Sequence, residues 1–240
     1  MDKALLKKTI AFIVILALIP AVIALGVVLF RDRRFNIISI AVALLACVPF
    51  FLFFEKKQTK ARELVVIAVM VALSAVGRLI FIGIPGFKPL AAIVIITGLA
   101  FGAEAGFLTG SLSAVLSNIF FGQGPWTPFQ MFVWGILGFA AGLFYRRQAA
   151  KTWPALIVWG IASGAAFSLL MDIWTVFSLD GGWNWARYWT ALIAGLPYTA
   201  IYMGSNVLFL LLLFKPISKK LERVKVKYML FDYGETRGKE

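Results

Sequence analysis

Apolar residues run almost unbroken from Ile10 to Phe30, and again from Phe35 to Phe54 after only the polar stretch RDRR. Polar positions then gather in EKKQTKARE (residues 55–63). Beyond them, six more apolar runs predict helices over 64–84, 89–102, 104–121, 128–145, 154–177 and 188–214. A helix rising 1.5 Å per residue needs about 20 residues to cross the hydrocarbon core of a bilayer. Most of these runs meet that length. The run 89–102 is short for a full span, so it is expected to tilt or to begin below the surface. The runs are continuous rather than alternating, which excludes a transmembrane barrel. The pattern therefore predicts an all-α polytopic membrane protein of about eight helices. Residues 1–63 form an N-terminal transmembrane hairpin and basic linker, 64–214 a six-helix core, and 215–240 a charged tail in which KKLERVKVK continues as a surface helix. Lys3, Lys7 and Lys8 before the first run give it the charge of a signal peptide. Its length of about 21 apolar residues exceeds the 7–15 of such a segment, so a retained span is expected.

Composition sharpens this reading. Of the 240 residues, 61% are hydrophobic and 15% charged, with a mean hydropathy of +0.90; a soluble domain carries about 25% charged residues. The net charge of +13 comes from 24 basic residues, and 18 of them fall on one side if the N-terminus is cytoplasmic. That asymmetry places both termini, the linker and residues 145–153 in the cytoplasm. RDRR fits this arrangement least well. The loops 81–89, 121–128 and 177–188 then face outside. No basic stripe interleaves with aromatic residues in a soluble segment, which argues against nucleic-acid binding. Cys47 is the only cysteine, so no intramolecular disulfide exists and a metal cluster is not expected. The absence of histidine removes Ser-His and Cys-His catalysis and histidine-ligated metals. No GxxxxGK[ST] motif is present for ATP hydrolysis. The chain is not expected to be an enzyme.

Small residues recur every fourth position at Gly98, Gly102, Gly106, Gly110 and Ala114, and again at Gly160, Gly164 and Ser168. In lipid such stripes let helix backbones approach closely. The second stripe continues in register to Asp172, a carboxylate that needs a substrate contact or a structural partner such as Arg78. Arg78 itself, late in its helix, reads first as an interfacial anchor that snorkels outward. Asn118, Gln130 and Asn206 could bridge helices. Tyr198, Tyr202, Trp126, Trp134, Trp174, Trp183, Trp185 and Trp189 could form an interfacial belt. Taken together they look more like a pocket, and WNWARYW beside DGG sets several rigid rings on a loop that glycine lets move. Aromatic walls and amides with few fixed charges suit a large, mostly neutral organic ligand. An inorganic ion would want a ring of carboxylates or carbonyls.

The last 180 or so residues resemble the substrate-binding S components of energy-coupling factor (ECF) vitamin transporters. The likeness rests on six helices after a basic linker, on IAVMVALSAVGRLIF in the first core helix, and on the block GFLTGSLSAVLSNIFFGQGPWTPFQMFVWGILGFAAGLF. The resemblance implies a subunit that captures a vitamin at its external face. It would then dock on a coupling module of one membrane subunit and two ATPases, and topple to deliver its ligand inward. ATP is consumed by those partners, and this chain holds no cofactor of its own. The AxxxA face of Ala68 and Ala72, with Ala75 nearby, is implied as the docking surface. FGQGPWTPFQM is most similar to cobalamin-type members, which implies cobalamin or a corrinoid precursor as ligand. Riboflavin, hydroxymethylpyrimidine and lipoate are the alternatives. The implied ligand shell comprises Lys88, Asn118, Gln123, Trp126, Gln130, Asp172, Trp183, Asn184, Trp185, Arg187 and Asn206.

Two readings compete with this one. A self-sufficient secondary transporter would show paired halves with matching broken helices, whereas this chain has one strong Gly/Pro break, GQGP at 122–125. A scaffold acting through its small-residue faces would not need polar and aromatic residues to converge on one side.

Overall fold

In a computed structural model of the chain, which describes residues 3–30, 35–54, 60–180 and 183–230, the apolar runs fold as helices joined by turns. Four features expected from sequence lie outside the described residues: the RDRR turn, residues 55–59 of the linker, the Gly181–Gly182 pair, and residues 231–240 of the tail. Lys3–Ile13 (α1) passes through a π-helical stretch, Val14–Leu18, into Ile19–Phe30 (α2). Pro20 supplies the reason. It has no N–H to donate, and its ring would meet the carbonyl four residues back, so the preceding turn widens. Phe35–Phe54 (α3) completes the N-terminal hairpin. The core follows as α4 (Lys60–Ile80), α5 (Leu90–Phe101), α6 (Ala103–Phe121), α7 (Thr127–Gly142), α8 (Trp153–Asp180) and α9 (Trp185–Tyr228), with a 3₁₀ turn at Gln148–Lys151. Among the described residues, Thr9–Val27, Ala61–Ile80, Trp153–Asp180 and Trp185–Tyr228 are long and apolar enough to cross a membrane.

The short run resolves as the centre of the molecule. Helix α5 has only 12 residues, about 18 Å at 1.5 Å each. Eleven of those residues are buried, packed against α4, α6, α7 and α9. A helix apolar on every side but too short to span the bilayer is accommodated inside the bundle. It is short because the 81–89 turn descends into the bundle before α5 begins: the Lys88 backbone N–H donates to Ser205 Oγ, deep along α9, at 2.8 Å. Gly86 permits that descent: its φ is +75°, and a Cβ there would press on the Tyr198 carbonyl and the Ile201 side chain. At the other end Gly102, φ 102° and ψ 178°, closes α5 and opens α6 in a conformation an L residue resists.

The small-residue stripes became two seams. A Cβ on Gly106 would overlap the Gly138 carbonyl, and one on Gly110 would overlap that of Trp134, so α6 and α7 meet backbone to backbone. Gly160 and Gly164 similarly admit Val207 and Met203, joining α8 to α9, and Ser168 accepts a hydrogen bond from Thr199 Oγ1 at 2.7 Å. The hairpin packs on α6 and α7, with Phe12 edge-on to Phe139 at 5.1 Å. It leaves free the outer face of α4, where Val65, Ala68, Val69, Ala72, Leu73, Val76 and Ile80 are exposed. Ala75 falls just past the edge of that face and is buried at 2% exposure, unlike its two companions. Helix α9 does not stop at residue 214. It runs for 44 residues, carrying KKLERVKVK on the same helix and containing Pro197 and Pro216.

Candidate functional site

Helices α4, α6 and α8 end, and α5, α7 and α9 begin, on one side of the bundle. Below the turns there, polar side chains meet. Arg78, in the last turn of α4, points inward and is only 7% exposed. Snorkelling, the expectation from its position near a helix end, is therefore not what this side chain does. Its face of α4 is the one that packs on α5 and α6, and neighbours there receive the charge. Arg78 Nη1 donates to Ser117 Oγ at 2.6 Å and to Asn118 Oδ1 at 2.8 Å. Asn118 Nδ2 then donates to Thr127 Oγ1 at 3.0 Å and Gln130 Oε1 at 2.8 Å. Thr127 Oγ1 donates in turn to Gln123 Oε1 at 3.1 Å and accepts from the Gly124 N–H. Gln123 Nε2 closes the turn on the Val115 carbonyl at 2.9 Å. The segment FGQGPWTPFQM thus folds back on α6 through one side-chain network, with Pro128 in the first turn of α7 where a missing N–H costs nothing.

Lys88 enters the same region from the descending turn. Its Nζ donates to Tyr198 Oη at 3.1 Å and lies 5.2 to 5.8 Å from the ring centres of Trp134, Phe167, Tyr198 and Tyr202. Trp134 stacks on Phe167 at 5.4 Å and donates through Nε1 to Tyr202 Oη at 3.0 Å. Arg78 Cζ lies 5.1 Å from that same Trp134 ring and 4.1 Å from Phe121. Trp134 and Tyr202 are fully buried. Two cations therefore share one aromatic cage, each over a ring face that attracts positive charge. Among the described residues, no carboxylate pairs with either of them. Arg78 Nε and Asn206 Oδ1 are buried without a hydrogen-bond partner. Where the sequence pattern suggests few fixed charges and a largely neutral ligand, the structure brings two basic side chains together.

The remaining residues of the predicted shell divide. Asn206 is fully buried below the cage and donates to Ser163 Oγ at 3.0 Å. Trp126 sits at the margin, edge-on to Trp174 at 5.9 Å, and Trp174 Nε1 is another buried donor without a partner. Asp172 faces α9 at Gly195, close to Thr175, and makes no ion pair with Arg78. Trp183, Asn184, Trp185 and Arg187 form a separate exposed cluster. Asn184 caps α9 by accepting from the Arg187 N–H, Arg187 pairs with Asp180 at 3.1 Å, and Trp183 meets Trp185 edge-on at 4.9 Å. Phe167, Ser117 and Ser205 join the site without having been singled out. A usable signal did exist for Arg78, the only charged residue in the run 64–84, because a charge within a span is functional by default. Elsewhere, a cavity of about 220 Å³ between α2, α7 and α8 is lined by apolar side chains including Pro20, Ile23, Phe129, Phe132 and Phe177. It has no polar group to orient a ligand.

Comparison with known proteins bears on this arrangement. Residues 58–221 match the family model described as ECF-type riboflavin transporter, S component. The chain is 28% identical over 151 residues to UPF0397 proteins from two strains of Aliivibrio fischeri, covering 60% of this chain and 77% of theirs. A UPF0397 protein of Vibrio atlanticus is 35% identical over 89 residues, 35% of this chain and 48% of that protein. No solved structure matches the chain.

Proposed function

The chain belongs to the family of ECF-type riboflavin transporter S components, and from that membership we propose that the Arg78–Lys88 cage is where it captures a ring-bearing vitamin or vitamin precursor. It is a multi-pass membrane protein and a transporter's substrate-binding subunit rather than an enzyme. The observation that carries the proposal is the convergence of Arg78, Asn118, Gln130, Lys88, Trp134 and Tyr202 inside the helical core beneath the turns. Charged and amide groups are expensive in a bilayer and are kept where a substrate repays them with contacts. Aromatic walls with a few placed polar groups are the usual make-up of a small-molecule site. Both termini lie in the cytoplasm on this reading, and the turns above the cage open outward. Cobalamin is the second reading, favoured by the FGQGPWTPFQM block.

Delivery then requires a coupling membrane subunit and two ATPases, for which the exposed Ala68 and Ala72 face of α4 is the proposed docking surface. Small side chains there let a partner helix approach closely. The test is coexpression with a coupling module, followed by purification and titration with riboflavin, cobalamin, hydroxymethylpyrimidine and lipoate. Binding of one panel member and copurification of the module are expected. Ala68→Trp and Ala72→Trp should keep the first and lose the second together with uptake. Variants that assemble like the wild type would remove α4 as the docking face. Failure of the wild type to copurify with any coupling subunit would overturn the S-component role.

A further inference from the structure

We infer that the molecule taken into this cage carries an oxyanion, a carboxylate or phosphate, that settles between Arg78 and Lys88. The inference rests on the S-component reading and adds the chemical class of the substrate to it. Arg78 and Lys88 both face the ring of Trp134, at 5.1 and 5.7 Å, so their charges are no further apart than the sum of those distances. Within that span like charges repel, and Arg78 is withdrawn from water while Lys88 is partly so. Cations inside a membrane protein ordinarily pair with an acid or a backbone carbonyl, yet their partners here are hydroxyls, an amide and ring faces.

A role in holding the fold together would be met more cheaply by one cation, or by a cation and an acid. The amide of Asn118 is already turned with its oxygen to Arg78 and its nitrogen to Gln130, which leaves Arg78 Nε as a buried donor with nothing to receive it. A planar oxyanion can accept from a guanidinium edge and an ammonium at once. The organic remainder would lie beside Trp134, Phe167 and Tyr202, whose rings surround Lys88. The ligand class is therefore a small ring-bearing acid or phosphate ester. A neutral ring system would leave the two charges uncompensated.

The probe is inorganic phosphate. The full-length chain in a neutral maltoside detergent is heated in sodium phosphate or in sodium chloride of matched ionic strength, and Trp fluorescence is followed. Phosphate should raise the unfolding midpoint by about 3 °C at ten times its dissociation constant. Arg78→Gln and Lys88→Met should each abolish the shift, while Lys225→Gln at the opposite end should retain it. If Arg78→Gln loses its helical signal, Lys88→Met carries the test alone, because its apolar stem can keep the contacts with the rings. Equal midpoints in phosphate and chloride, or a phosphate shift that survives in Lys88→Met, would overturn the inference. A shift with phosphatidylglycerol and none with soluble phosphate would place the anion on a lipid, and would overturn it too. None of these results bears on copurification with the coupling module, so this inference and the S-component role can fail separately.

Discussion

At one end of the bundle Arg78 and Lys88 are enclosed by Trp134, Tyr202 and the amides of α6 and α7; at the other, Arg62, Lys215, Lys225 and Lys227 lie along the surface of α4 and α9. Both ends are basic and both use ring faces. Arg62 and Lys227 each sit 5.3 Å from Tyr228, and Lys215 lies 5.1 Å from Trp153. The difference is water. Cations at the far end keep their hydration and can move, so any one of them contributes little to the fold. Those at the near end have exchanged water for fixed hydroxyl, amide and ring partners, and each partner therefore matters more. Lys151 marks the boundary between the two regimes. Half-buried in the turn after α7, it has its pKa lowered from the ordinary lysine value, first by burial and then by neighbouring Lys225. The same residue types thus stay hydrated at one end and lie among fixed hydroxyl, amide and ring partners at the other.

Substitutions can break or sharpen that contrast. Asn118→Leu should have the largest effect, because it strips Arg78 of one acceptor and leaves Thr127 and Gln130 without their donor. A cost of about 3 kcal/mol is expected for losing a hydrogen bond to a buried charge together with its neighbours. Thermal unfolding in detergent measures it, and a loss no greater than that of a surface variant would erase the difference between the two ends. Trp134→Phe keeps a ring between the cations but removes the N–H donated to Tyr202, for about 1 kcal/mol by the same measurement. Arg187→Gln, which breaks the exposed pair with Asp180, should change stability by under about 1 kcal/mol. Its value is positional: it lies on the cage side of the molecule but outside the cage, so a large effect would mean that side, not burial, sets the contrast. Smallest of all, Lys225→Gln should alter stability by under about 0.5 kcal/mol and leave binding at the cage untouched.

Much of the framework was legible beforehand. Apolar runs of span length located the helices to within a few residues at most ends, and GxxxG spacing marked the α6–α7 and α8–α9 seams, because both signals are local and periodic. The network around Asn118, Gln123 and Gln130 was partly legible for the same reason: a Gly/Pro break must turn, and its polar residues must find partners nearby. The nearness of Arg78 to a helix end suggests an exit to the interface, whereas the packing of α4 on α5 and α6 turns that face inward. The Trp183–Arg187 cluster looked like part of the pocket on composition, yet its rings pack on one another and on Phe177.

From the sequence alone came the membrane, the helix count, the close seams and the absence of catalytic chemistry, since each depends on composition or on spacing within a single helix. Only the tertiary structure decided which charges share a site. Arg78, Lys88, Trp134 and Tyr202 lie on four different elements. They meet because the 81–89 turn dips to Ser205 and because glycines bring α6 and α7 into backbone contact. Contacts of that kind depend on how whole helices pack, and no periodicity along the chain encodes them.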